Sequence, residues 1–351
     1  MPKRGSPHAR SIGVGALLAA AALSAVACGG GQSSTGQGRS GSSTATTAQR
    51  AQAAALEQRF VAVVKETEPE VVQIQTDAGL GSGVIFDDRG DIVTNAHVVD
   101  SARQLLVTAA DGHRFPARLV GAYTPDDLAV VTVGAGHGLK PARFADSSKL
   151  AVGEIVLAEG NPLGLQSSVT EGIISALGRD VSEGPGVVLP DSIQTSAPIN
   201  PGNSGGALVD LDGQVVGIPT LAAANPQLGS AAAGIGFAIP SNTVRDIASQ
   251  LVRHGRVVNS RRAALGVSVA DSTTRPGALI VALQERGPAA RAGLAVGDVI
   301  QRVDDQPIED VSAFAQALAE HKPGEQVRIS VVALNGAART VTVTLGQLAG
   351  S

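Results

Sequence analysis

The chain has 351 residues, 43% of them hydrophobic, enough for two or three domains with packed cores. A net charge of −4 provides no basic surface for nucleic acid, and 2% aromatic content with no tryptophan provides no base-stacking platform. The cores must therefore be packed by Val, Leu, Ile and Ala.

The first predicted element is a leader. Lys3, Arg4 and Arg10 precede a run of apolar and small residues over 12–27, the pattern of an export signal and short for a membrane-spanning helix. The run ends in Ala25-Val26-Ala27-Cys28, and Cys28 is the one cysteine in the chain, so no intrachain disulfide can form. Ala-x-Ala suits ordinary signal cleavage, but a cysteine directly after it resembles a bacterial lipoprotein signal, in which that residue is lipidated and becomes the new N-terminus. Lipidation of Cys28 is the favoured reading over simple secretion or an uncleaved anchor. In membrane fractionation Cys28→Ser should then move to the soluble fraction; unchanged partition rejects the lipid. Residues 1–28 are thus read as a signal peptide. Residues 29–55 hold almost nothing that could be buried and read as a flexible tether holding a soluble body off the membrane.

Residues 56–65 have helical spacing of Leu56, Phe60, Val63 and Val64, a short amphipathic lead-in. Short β-prone runs follow at 71–75, 82–86, 91–94, 105–108, 117–120 and 128–133, then at 155–159, 168–176, 193–196, 206–211, 214–220 and 234–238. Two such groups without intervening helices read as paired β-barrels or a sandwich. A helix over 241–253, capped by Ser241 and stopped by Gly255, closes the domain at 56–257 and is expected to pack on the second barrel.

Three residues at strand edges carry candidate chemistry. His97 follows the strand Ile92-Val93 and is the one histidine of six flanked there by apolar residues. Asp127 enters a buried-looking strand and needs a partner, because an unpaired buried charge is expensive; its neighbour Asp126 reads as the solvated one. Ser204 lies in Gly202-Asn203-Ser204-Gly205-Gly206, which cannot be helix interior and reads as a tight loop. A serine hydroxyl needs a neutral imidazole to take its proton, and the imidazole needs a carboxylate to fix its tautomer. The N–H groups of Gly202 and Ser204 would stabilise the oxyanion. The order His, Asp, Ser is that of the chymotrypsin arrangement.

Gly81-Ser82-Gly83-Val84-Ile85-Phe86, Thr94-Asn95-Ala96-His97, Asp127-Leu128-Ala129-Val130, the run from Asn200 to Gly206 and Gly234-Ile235-Gly236-Phe237 together resemble the HtrA (Deg) family of serine proteases. The resemblance implies a chymotrypsin-like double barrel with His97 as general base, Asp127 as its orienter and Ser204 as nucleophile. It also implies unfolded or damaged proteins as substrates, a homotrimer, and loops around the serine that a ligand or neighbouring subunit orders, residues 178–190 reading as such a mobile loop. Asn203 stands where digestive relatives have an aspartate that pairs with a newly cut N-terminus, so activation of that kind is not expected. Ala197, Pro198 and Ile199 occupy the usual floor of the specificity pocket. With no carboxylate there, small aliphatic residues before the scissile bond are expected.

After a polar link at 258–262, strands are predicted at 265–270, 278–283, 298–303, 326–334 and 340–345, with a helix over 312–320 capped by Ser312. Gly287-Pro288-Ala289-Ala290-Arg291-Ala292-Gly293-Leu294 makes residues 258–349 resemble an α+β PDZ domain of the HtrA type. The resemblance implies that a C-terminal peptide adds as a strand and that its carboxylate is gathered by backbone N–H groups at Ala264, Leu265, Gly266 and Val267. No His-Glu-x-x-His, cysteine pair or phosphate loop is present in the sequence, so no metal or other cofactor is implied. The competing reading is a non-proteolytic chaperone or peptide-binding adaptor on the same scaffold. An intact Ser-His-Asp set argues against it.

Overall fold

The computed structural model describes residues 41–348 apart from 78, 101, 162–167, 185–186, 201 and 226–229. Cys28, the leader and the first part of the tether lie outside the described residues. Helix α1 (Gly41–Thr67) starts well before the predicted lead-in, so residues 41–55 are helical where a flexible segment was expected. Their alanines, with Gln and Arg, are strong helix formers, and a helix satisfies its backbone internally without burying side chains. Among the described residues no helix is long and apolar enough to cross a membrane.

Strands β1 (Val71–Thr76), β2 (Leu80–Ile85), β3 (Asp91–Thr94), β4 (Leu105–Thr108), β5 (Arg114–Tyr123) and β6 (Leu128–Thr132) close into one barrel, with the single turn α2 (Ala96–Val99) after β3. Strands β7 (Ile155–Gly160), β8 (Ser168–Gly184), β9 (Val187–Thr195), β10 (Ala207–Asp210), β11 (Val215–Asn225) and β12 (Ser230–Pro240) close into a second. Alternation sorts their side chains. Val72, Ile74, Ala129 and Val131 join the core of the first barrel, while Val71, Leu128 and Val130 join a core shared with Leu157, Val209 and Ile218 of the second. A strand buried on both faces reads as a continuous apolar run, as β6 does.

Two long strands depart from expectation. β8 and β9 continue the ladder through Arg179↔Ser192, Val181↔Leu189 and Ser182↔Val188, so the described residues of the segment expected as a mobile loop are paired strand. Register shifts along it let polar residues stay in a twisted ribbon, which alternation alone did not reveal.

Helix α3 (Ser241–His254) turns Val244, Ile247, Ala248 and Leu251 inward and packs on β5 and β6 of the first barrel as well as β11 and β12 of the second. It spans both barrels rather than resting on one. Ser241 does not cap it, because its hydroxyl donates to the Ala145 carbonyl at 2.8 Å; Gly255 ends it at φ 69° as expected.

The C-terminal domain has a sheet in the order β14 (Val267–Asp271), β15 (Ala278–Leu283), β16 (Val299–Val303), β18 (Gln326–Val332), β19 (Ala338–Thr344), with β17 (Gln306–Pro307) beside β16. The short pair β13 (Ala263–Ala264) and β20 (Gly346–Gln347) closes its base, and α4 (Pro288–Arg291) and α5 (Val311–Ala319) cover it. The cap of α5 is Asp310, whose carboxylate accepts from the Ala313 N–H at 2.7 Å, rather than Ser312.

Candidate active site

β3 delivers Asn95 and the turn α2 to the junction of the barrels. There the Asn95 amide and the Ala96 N–H both donate to the Asp127 carbonyl, at 3.0 and 3.1 Å, tying the histidine turn to the aspartate loop. Asp127 sits at φ 47°, a left-handed conformation that aspartate tolerates better than most side chains, at the end of the 3-10 turn Thr124–Asp126. This kink turns its carboxylate back toward α2. Asp127 Oδ1 accepts from the His97 N–H at 3.0 Å, and Oδ2 lies 2.8 Å from His97 Nδ1. The Asp127 side chain is 4% exposed and the His97 ring 49%, so the pair has a dry end and an open end. A proton on Nδ1 leaves the Nε2 lone pair as the acceptor.

The second barrel supplies Thr220 and Ser204. The buried Thr220 hydroxyl donates to Asp127 Oδ2 at 2.6 Å, and its carbonyl accepts from Ser204 Oγ at 3.2 Å. Thr220 thus joins the serine loop to the histidine–aspartate pair, and no sequence signal marked it, since a threonine in a buried strand is ordinary. The serine loop is pressed against the first barrel, because a Cβ at Gly205 would overlap the Ser82 carbonyl and crowd Thr94 Oγ1. Gly202 has φ 116°, open to glycine alone at low cost.

Ala197 and Ile199 are buried and Pro198 is exposed. The Pro198 carbonyl accepts from the Asn203 amide at 3.2 Å, and Asn203 Oδ1 accepts from the Asn200 N–H at 3.0 Å. Asn203 therefore clips residues 197–199 to the serine loop as a neutral group. Gly172 and Gly236 flank the segment so closely that a Cβ on either would overlap Ala197 or Ile199.

Asp126, expected in solvent, is 4% exposed. Its carboxylate accepts from Arg262 Nη1 at 2.7 Å, and Arg262 also donates to the Pro125 carbonyl and, at 2.8 Å, to that of Val188. Burial pushes the Asp126 carboxyl up while the Arg262 charge pulls it down. The cause is tertiary: the 258–262 link folds back under the aspartate loop and the β8–β9 hairpin.

In the C-terminal domain Leu265 is buried, Gly266 takes φ 72° against Pro288, and Val267 opens β14. The groove between β14 and α5 belongs to a cavity of about 1140 Å³ lined by Leu265, Val267, Phe314 and Leu318, and also by Leu189 and Ile247 of the barrel domain.

Residues 81–218 match the family described as Trypsin-like peptidase domain, and residues 263–345 match PDZ domain. The solved HtrA-type protease AlgW with decapeptide is 32% identical, with a TM-score of 0.56 over 82% of this chain and 98% of that one. The chain belongs to the HtrA family. The serine endoprotease from Yersinia pestis is a further HtrA-like neighbour, 36% identical with a TM-score of 0.56. Among curated HtrA relatives, Serine protease PepD of Mycobacterium tuberculosis is 41% identical over 81% of this chain and 65% of its own length. Periplasmic serine endoprotease DegP of Escherichia coli is 38% identical over 74% and 56%. The matched region thus spans somewhat over half of these two relatives.

Proposed function

We propose that the chain is an extracytoplasmic serine endopeptidase that hydrolyses peptide bonds through an acyl-enzyme. The observation that carries this reading is the buried Asp127 carboxylate bonded to both His97 Nδ1 and Thr220, with Ser204 held by the same threonine. Asp127 fixes the tautomer in which His97 Nε2 accepts a proton. The Ser204 hydroxyl leaves the Thr220 carbonyl, gives its proton to Nε2 and attacks the scissile carbonyl. The N–H groups of Gly202 and Ser204 stabilise the oxyanion, His97 protonates the leaving amine, and water then resolves the ester by the same steps in reverse.

Unfolded or damaged proteins are the proposed substrates, supported by the endoprotease names of the relatives and by a pocket segment, 197–199, that has no charge. The PDZ domain is proposed to bind C-terminal peptides at Ala264, Leu265, Gly266 and Val267, with its carboxylate on the loop that Gly266 opens; AlgW was solved with a decapeptide. Attachment to the cell membrane through Cys28 and assembly as a homotrimer belong to the same reading. One assay series tests chemistry and specificity together. The native chain should digest casein and cleave peptides after alanine or valine, cleave an arginyl peptide at least tenfold less well, and lose all of this on Ser204→Ala. Equal protection of unfolded protein by both forms, with no digestion, would instead favour the adaptor reading. Fluorophosphonate labelling with and without a hydrophobic C-terminal peptide then reads whether the PDZ ligand orders the site.

A further inference from the structure

We propose that Ser82, in the first barrel, is a positioning residue that sets the oxyanion loop of the second. This rests on the endopeptidase reading above. Ser82 lies on β2 and is fully buried. It makes four hydrogen bonds, and three reach the second barrel: its N–H donates to the Ser204 carbonyl at 3.1 Å, its hydroxyl donates to the Gly202 carbonyl at 2.5 Å, and the same hydroxyl accepts from the Asn161 N–H at 2.8 Å. The fourth, from Thr94 Oγ1 to the Ser82 carbonyl at 2.7 Å, ties it to the strand that leads into His97.

The geometry gives these contacts a specific consequence. A peptide unit is planar, so fixing its carbonyl fixes the N–H on its other side. The unit joining Gly202 to Asn203 is held by Ser82 Oγ on its carbonyl and by the Asn200 carbonyl, at 3.2 Å, on its N–H. The unit joining Ser204 to Gly205 is held by the Ser82 N–H on one side and by the Pro219 carbonyl, at 3.0 Å, on the other. Between them lies the unit that carries the Ser204 N–H, one of the two oxyanion donors. The Gly206 N–H donates to the carbonyl of that unit at 3.0 Å, and Ser82 pins the planes on either side of it, so the Ser204 N–H has one direction. Gly202 at φ 116° has no side chain to limit its rotation, so the plane beside the other donor is restrained by two bonds, from Ser82 to its carbonyl and from its N–H to Asn200, of which the first comes from the other barrel. Alanine at 82 would leave the Asn161 N–H and the Gly202 carbonyl without this partner in a dry site, and a rotation of the glycine would regain water for the carbonyl at the expense of the hole.

The test compares native protein, Ser82→Ala and Ser82→Cys by steady-state kinetics on a cleavable peptide. A peptide aldehyde, whose hemiacetal oxygen occupies the oxyanion position, is compared with the product peptide acid, which reads ordinary binding. Ser82→Ala should lower kcat about 10- to 100-fold with KM changed less than threefold, and weaken the aldehyde by a similar factor while the product peptide binds as before. Ser82→Cys, a weak donor, should lie between, and keeps the comparison available if the alanine variant does not fold. Native kcat and aldehyde affinity in a folded Ser82→Ala would overturn the proposal, as would equal weakening of aldehyde and product, which marks a general structural role. Failure of the native chain itself to cleave or label would instead remove the endopeptidase reading on which the proposal rests.

Discussion

Asp127→Asn should lower kcat by about 10⁴-fold in a protein that still folds. The carboxylate has donors on both oxygens: the His97 N–H on Oδ1, and Thr220 Oγ1 with His97 Nδ1 on Oδ2. An amide has one oxygen and one NH₂, so either orientation turns a donor toward a donor. With the NH₂ at the Oδ2 position, it donates to Nδ1, places the imidazole proton on Nε2, and removes the acceptor that Ser204 needs. With the NH₂ at the Oδ1 position, it opposes the His97 N–H in a buried site and costs about 1–3 kcal/mol of stability. The first branch loses the base; the second keeps the imidazole proton on Nδ1 but lacks the negative charge that stabilises the imidazolium, and it also lowers Tm. Single-turnover kinetics with thermal melts read the two effects together; kcat within tenfold of native would remove Asp127 from the role given to it.

Glu159 should make stability fall as pH rises from about 4.5 to about 7, and Glu159→Gln should abolish that dependence. Glu159 is fully buried on β7, where Thr67 Oγ1 lies 2.8 and 2.7 Å from its two oxygens and 2.9 Å from the Val63 carbonyl. The threonine hydroxyl has a single proton. When Glu159 is neutral, its O–H donates to Thr67 and Thr67 donates to Val63, so both protons have acceptors and no charge is buried. When it is ionised, the one remaining proton cannot serve both the carboxylate and Val63. Burial pushes the Glu159 carboxyl up from 4.5 to about 7, with Glu70 and Glu68 adding repulsion and the Thr67 bond acting against them. Of the other charges around it, Glu70 pairs with Lys140 at 2.7 Å, and Arg143 pairs with Glu66 at 2.7 Å.

The folded pKa exceeds the unfolded one, so the contribution is complete below pH 4.5, where both states hold the proton. It declines as the unfolded chain ionises and is lost once pH passes about 7. At 1.36 kcal/mol per pH unit, that window carries on the order of 3 kcal/mol. Glutamine donates to Thr67 as the protonated acid does, but at every pH. Denaturant unfolding of both proteins from pH 4 to 8 should show curves that diverge above 4.5, the variant becoming the more stable; a difference constant with pH would exclude the mechanism.

Much of the architecture was legible because short apolar runs with glycine, proline and aspartate between them leave paired barrels or a sandwich as the options, and both sheets close into barrels. The candidate chemistry was legible for a different reason. His97, Asp127 and Ser204 each sit in local contexts that burial and backbone geometry make unusual: a histidine at a strand edge, an acid entering an apolar run, a serine among glycines. Expectations failed where a residue's state depends on something distant. Asp126 reads as a surface acid next to a buried one, and only Arg262, 136 positions away, removes it from water. The β8–β9 ribbon reads as loop because a paired strand with register shifts has no alternation to detect. α1 extends to Gly41 because helix propensity needs no buried face, whereas the expectation of a tether weighed burial alone.

The resemblance of its motifs pointed to a double barrel and a PDZ domain; the sequence by itself determined which functional groups are available, their order along the chain, and the absence of charge from residues 197–199. Those features are written in residue type and local spacing, which hydrophobic burial and backbone sterics translate directly. Tertiary structure alone decided that Thr220 meets Asp127 across 93 positions and holds Ser204 as well, that Ser82 of one barrel holds the loop of the other, and that Glu159 shares one proton too few with Thr67 and Val63. Hydrogen bonds between distant strands depend on register and barrel closure, and neither is encoded in the neighbourhood of the residues they join.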